Sequence, residues 1–114
     1  MEGCSEKEEM SLRCPIPSDV RERLAADPFM SRCCLADDSC EGRTEWDHHL
    51  KFAGKRMNEP WGILPLCSSH HRREAQFRGS LDVIMVSRAT EEELRPFCKA
   101  TDYITIKRLY ADNA

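Results

Sequence analysis

Apolar positions in this chain fall in short runs separated by polar, turn-forming stretches, and the period of the runs changes along the sequence. Val20, Leu24 and Ala25 recur at helical spacing after the stiff approach of Pro15 and Pro17. Ser18 reads as the N-cap of that helix and Asp19 as its first-turn acid. Asp27-Pro28 ends it near Ala26, because the residue before a proline is pushed out of helical conformation. Residues 29–43 carry no such period, and Asp37, Asp38, Ser39 and Gly42 are turn formers. Thr44 to Phe52 predicts a short strand. Ile63 to Leu66 predicts a second extended run, entered through the turn Asn58-Glu59-Pro60-Trp61-Gly62. Ser68 or Ser69 then caps a helix from His70 to Phe77 that Gly79 stops. Leu81 to Val86 fits either strand or helix, since a short apolar run has no diagnostic period. Thr90 and Glu93 form a capping box, and Pro96 shortens or kinks the helix that follows. Tyr103, Ile106, Leu109 and Tyr110 predict a last helix packed back on the domain. There is no repeat, linker or low-complexity tract.

These elements describe an α+β chain: a flexible acidic segment at 1–17, then a single domain at 18–114. The 114 residues suffice for one core and not for two. Charged residues make up 32% and the mean hydropathy is -0.61, so apolar material is limited. Chains of this kind usually add a staple, either disulfide or metal. Seven cysteines are present, an odd number that cannot pair fully within one chain. The opening MEGCSEKEEM is acidic where a secretory signal is basic and then apolar. No stretch approaches the roughly 18 apolar residues of a membrane span. The expectation is a cytoplasmic protein with reduced thiols, whose clustered cysteines bind metal.

Net charge is -3, which argues mildly against a life on DNA, but its distribution alters that. Residues 1–50 carry 6 basic and 12 acidic groups, while residues 51–78 carry 6 basic groups against 2 acidic. The basic set is Lys51, Lys55, Arg56, Arg72, Arg73 and Arg78. A solvated face is the plain explanation of such a patch. Its coincidence with the histidine-rich segment points to phosphate contact.

Cys67 and His70 form a C-x-x-H pair, and Cys33, Cys34 and Cys40 lie upstream in the turn-rich loop. Two ligands from a loop and two from a knuckle at a helix start make a tetrahedral zinc site. Thiolate and imidazole suit zinc, and closing the 26 intervening residues would stabilise a small core. Neighbouring Cys33 and Cys34 point different ways, so one of them is expected to bind. Buried free thiols are the competing explanation. Cys4, Cys14 and Cys98 read as ordinary thiols.

The second constellation is Trp46-Asp47-His48-His49-Leu50 with His71. A carboxylate beside an imidazole, with a helix-borne histidine, can hold one hard divalent ion and leave an imidazole free as general base. That set suits metal-assisted phosphodiester hydrolysis. Imidazole is apt because its ordinary pKa lies near neutrality. The competing reading has all four histidines on structural zinc.

The stretch CEGRTEWDHHLKFAGKRMNEPWGILPLCSSHH resembles the HNH endonucleases with the ββα-metal fold. More narrowly, it is similar to small phage and prophage members, often linked to recombination functions. The likeness covers Cys33 to about Gly79, the motif core at 33–79. It implies a β-hairpin and helix around a catalytic Mg2+ or Mn2+, with structural Zn2+ on the other side and flanking helices. Carried over by position, Asp47 and His71 match ligands of the catalytic ion and His48 the general base. Cys40, Cys67 and His70 match zinc ligands, with Cys33 or Cys34 as the fourth. His49 is the reserve base; strand alternation puts it on one face with Asp47, a possible chelate. Many members carry an asparagine where this chain has Gly62. Asn58 is the nearest substitute, or a backbone carbonyl serves.

The implied activity is metal-dependent hydrolysis of DNA, with Lys51, Lys55, Arg56, Arg72 and Arg73 on phosphates. Phosphate contacts carry no sequence information, so no site preference follows. A non-catalytic zinc module that binds nucleic acid or protein is the alternative. A third reading uses the fold only as a scaffold for binding a host or phage protein.

Overall fold

The computed structural model describes residues 16–111. The acidic segment expected at 1–17 therefore lies outside the described residues except for Ile16 and Pro17, and so do Cys4 and Cys14. Strand β1 (Thr44–His48) pairs antiparallel with β4 (Ile63–Cys67), in a register running from Thr44 opposite Cys67 to His48 opposite Ile63. Every residue of β4 is buried. That explains its uninterrupted apolar sequence: one side packs with Leu50, Trp61, Leu81, Met85, Val86 and Leu94, while Ile63 joins Leu24 and Met30. Pro65 donates no hydrogen bond, but its carbonyl accepts the Cys34 N–H at 2.9 Å, which ties the cysteine loop to the strand.

The strand expected from Thr44 to Phe52 divides in two. His49 and Leu50 both donate to the Gly62 carbonyl at 3.0 Å, and Leu50 turns fully into the core. Beyond this pinch, β2 (Lys51–Phe52) and β3 (Lys55–Arg56) form a small hairpin. Its two-residue turn holds Ala53 at φ 54° and Gly54 at φ 78°. Such turns require positive φ at both central residues, which glycine accepts and alanine resists.

Helix α2 (Ser68–Arg72) starts directly from β4. The cap is neither Ser68 nor Ser69: the Cys67 Sγ accepts the His70 N–H at 3.4 Å. The helix expected to reach Phe77 ends sooner, at Arg73 (φ -111°, ψ 21°), and a 3-10 turn (Glu74–Phe77) follows. Helix α3 (Arg78–Ser87) then begins, so Gly79 lies in its first turn instead of stopping a helix. Leu81, Met85 and Val86 are its buried residues. That spacing shares one face of a helix, which resolves the ambiguous apolar run as helical.

Helix α1 (Ser18–Ala25) has Pro17, not Ser18, at its cap position, with no side-chain cap. The proline satisfies the entry conformation and Ser18 becomes the first helical residue. Asp27 caps the following 3-10 turn (Pro28–Ser31) at Phe29 N–H, 3.0 Å. Arg88 at the end of α3 donates to Asp27 at 2.9 Å and lies 4.0 Å above the Phe29 ring, joining α3 to the turn that follows α1. Helix α4 (Glu91–Leu94) carries the expected capping box between Thr90 and Glu93, and Pro96 sits in the 3-10 turn that ends it. Helix α5 (Tyr103–Ile106) is capped by Asp102 and widens into a π-helical turn (Lys107–Ala111). Leu109 and Tyr110 do not pack back as expected. They are 58% and 61% exposed, and Tyr103, Ile104 and Ile106 make the contacts with the core. Among the described residues no helix is long and apolar enough to cross a membrane.

Two outcomes follow for stability. Ala53→Asn relieves the left-handed alanine and should raise the melting temperature by several degrees, equivalent to about 1 kcal/mol. The Arg88 hydrogen bond and then the Phe29 N–H hold the Asp27 carboxyl below its ordinary range. A depressed folded-state pKa stabilises above the unfolded value, and that contribution disappears as pH falls through the folded one. Acid titration from about pH 4 downward should therefore destabilise the wild type more steeply than Asp27→Asn.

Candidate metal centres

The first cluster is built where β4 meets α2. Cys67 is the last residue of β4, and His70 follows one helical turn later on α2, fully buried. The cysteine loop, docked on β4 through Cys34 N–H, brings Cys33 and Cys40 to the same point. The His70 Nδ1 lies 3.4 Å from Cys33 Sγ, 3.5 Å from Cys40 Sγ and 3.1 Å from Cys67 Sγ. All four ligand atoms lie within 4.8 Å of one another. A tetrahedral zinc site has sulfur-to-nitrogen separations of about 3.6 Å, so three thiols and one imidazole here fit zinc in both chemistry and spacing. The far ring nitrogen is held too: His70 Nε2 lies 3.2 Å from both Asp37 Oδ2 and Ser39 Oγ. A carboxylate behind a histidine ligand fixes its tautomer and ring plane.

Cys34 stands outside this cluster, so of the two adjacent cysteines Cys33 is the one brought in. Burial pushes the Cys34 thiol up to about 12, and the neighbouring Cys33 adds to that. Burial works against ionisation of Cys67 as well. There the N–H groups of His70 and Glu41, together with the His70 ring and Cys40, outweigh it and bring the thiol down to about 6. Cys98 donates to the Leu94 carbonyl at 3.3 Å, an ordinary thiol.

The second cluster lies between β1 and α2 and gathers Asp47, His71 and Glu74, whose ligand atoms also fall within 4.8 Å of one another. Alternate residues of β1, Glu45 and Asp47, face His71. Glu45 Oε1 lies 2.7 Å from His71 Nδ1, and Asp47 Oδ1 lies 3.1 Å from His71 Nε2. The other Asp47 oxygen, Oδ2, is buried with no hydrogen-bond partner. Burial and then the nearby Asp47 push the Glu74 carboxyl upward. Burial opposes protonation of His71, yet Glu45, Asp47 and Glu74 raise it. Two carboxyls facing each other, one with an orphaned buried oxygen, and an imidazole steadied from behind form a donor set that suits a divalent cation.

Glu74 was not picked out from the sequence, and Glu45 was singled out only as the leading acid of the family order Glu45-Trp46-Asp47-His48. Glu74 had a signal, being three residues after His71 and thus on the same side of a helix. Glu45 had the matching signal of lying two residues before Asp47 on a strand.

His48 and His49 diverge. His48 Nε2 lies 2.8 Å from Asn58 Oδ1, while His49 Nε2 lies 2.6 Å from Asp82 Oδ1 on α3. Asn58 therefore reaches a histidine that Gly62 could not. At Gly62 a Cβ would come 2.7 Å from the Leu50 Cβ, so this position admits no asparagine, and its carbonyl holds the pinch instead. Of the basic residues, Lys51, Lys55, Arg56 and Arg72 are exposed. Arg73 is engaged elsewhere: it donates to Ser39 at 3.0 Å and Ser69 at 2.9 Å, tying the cysteine loop to α2. No family model, curated protein or solved structure matches this chain.

The first cluster predicts one tightly held zinc per chain by elemental analysis. Structural zinc contributes roughly 10 kcal/mol of apparent binding energy, comparable with the whole stability of a small domain. Chelation or Cys67→Ser should therefore unfold the protein by circular dichroism, whereas Cys34→Ser should retain full zinc content.

Proposed function

We propose that this protein is a divalent-metal-dependent nuclease of the HNH type that hydrolyses DNA phosphodiester bonds, in the manner of small phage or prophage proteins with a recombination or DNA-processing role in the cytoplasm. One observation carries the reading: Asp47, His71 and Glu74 converge around a buried, unpartnered carboxylate oxygen, on an antiparallel strand pair followed by a helix. The residues around it support the same chemistry. A magnesium or manganese ion held by Asp47, His71 and Glu74 would supply positive charge against the charge that develops on the phosphate oxygens. Glu45 orients the His71 ring and fixes which nitrogen faces Asp47.

His48, next to Asp47, is the general base in this reading. Its Nε2–H donates to Asn58, which leaves Nδ1 of the neutral ring to take a proton from the attacking water. His49 remains the alternative base, since the Asp82 carboxylate orients it in the way a base is oriented in hydrolytic dyads. Lys51, Lys55, Arg56 and Arg72 would hold the strand through its phosphates, and Arg73 less so, given its ties to Ser39 and Ser69.

Plasmid nicking in Mg2+ or Mn2+ tests the proposal. His48→Ala should slow nicking by 10²–10⁴-fold, the usual worth of a general base, and Asp47→Ala should remove the response to added metal. Equal nicking by wild type and His48→Ala, with loss in His49→Ala, would transfer the base role to His49. Salt-dependent DNA binding without cleavage in any divalent metal would leave a zinc-stapled binding module. A flat salt response with capture of a protein partner would leave the scaffold reading.

A further inference from the structure

A cavity of about 230 Å3 lies directly beside the second cluster, bordered by His49, Lys51, Glu74, Arg78, Asp82 and Tyr103. Three parts of the chain meet there: the end of β1, the first turns of α3 and the segment that enters α5. Arg78 and Asp82 are four residues apart on α3, a spacing at which opposite charges usually pair. Here they do not. His49 captures Asp82 at 2.6 Å, and the His49 side chain is only 8% exposed, a fixed wall rather than a mobile group. Glu74 is turned toward Asp47 and His71. Asp82 faces His49 and Glu74 faces the second cluster, and although Lys51 lies near enough to act on Glu74, neither it nor Arg78 has an ion pair among the described residues. Helix α3 starts at Arg78 without a side-chain cap, which adds positive potential at the same rim.

Two cations without an ion-pair partner beside a polar cavity suit an anion with several acceptor oxygens. We propose that the cavity is a second phosphate subsite, which takes the phosphate next to the scissile one on a nucleic-acid strand. Lys51 and Arg78 are its cationic arms, and the His49–Asp82 pair is its rigid wall. The identity of the occupant as a strand rests on the nuclease reading; the affinity for phosphate rests on the cavity itself. Arg78 is exposed, so its replacement leaves the core intact.

The test is a titration of amide chemical shifts in the zinc-loaded full chain. Its probes are inorganic phosphate, a dinucleotide, and the same dinucleotide with an added terminal phosphate. The amides of Arg78, Asp82 and Thr101 should move with inorganic phosphate. The extra terminal phosphate should tighten binding about tenfold, and Arg78→Ala or Lys51→Ala should abolish that gain, with Arg78→Lys restoring part of it. Shifts confined to other residues, or an unchanged gain in Arg78→Ala, would overturn the subsite. Inorganic phosphate binding as tightly as the phosphorylated dinucleotide would overturn its assignment to a strand. Plasmid nicking separates the two proposals: a chain that nicks DNA but lacks the Arg78-dependent gain loses the subsite alone, and one that shows the gain without nicking loses the nuclease reading alone.

Discussion

The junction at Cys67 governs the arrangement of this protein. One sulfur atom ends a buried strand, caps a helix through the His70 N–H, and stands among the four donors of the first cluster. Because α2 has barely more than one turn, it has little stability of its own. Its rotation about its axis is set by where His70 is held. His70 and His71 point about 100° apart on a helix, so fixing His70 among three sulfurs directs His71 toward β1. The same tether therefore sets the position of the second cluster, although the two clusters share no ligand.

The sequence disclosed the parts whose chemistry is local. The Thr90–Glu93 box, the C-x-x-H pair and the placement of His70 and His71 in different clusters all follow from spacing within a turn. The fold class was legible because the strands, loops and helices have distinct periods. What stayed hidden depends on contacts across the chain. Nothing near Leu50 marks it as the residue that breaks the strand; its burial under Trp61 and the Gly62 carbonyl does that. Gly79 looked like a helix stop because nothing in the local composition marks the earlier break at Arg73, whose side chain bridges Ser69 of α2 and Ser39 of the cysteine loop. Asp82 is a single acid with no local motif, recognisable only once His49 is seen beside it.

Charge placement follows the same logic of commitment. The chain is acidic overall, yet the carboxylates nearest the second cluster are occupied by histidines or by one another. Such contacts fix where each charge stands without cancelling it. The local field near α3 and the hairpin depends on where Lys51, Lys55, Arg56 and Arg78 stand relative to those carboxylates, and a net charge of -3 does not describe it.

The pinch at Gly62 separates two kinds of sequence freedom. Inside it, β1, β4 and the clusters leave no slack, as the 2.7 Å approach of a Cβ to Leu50 illustrates. Outside it, among the described residues, the β2–β3 hairpin is held by the Met57 N–H on the Leu50 carbonyl and by the edge of Phe52 against Phe97. The hairpin is thus a separable finger: a change in its length or charge leaves in place the strands that carry the two clusters.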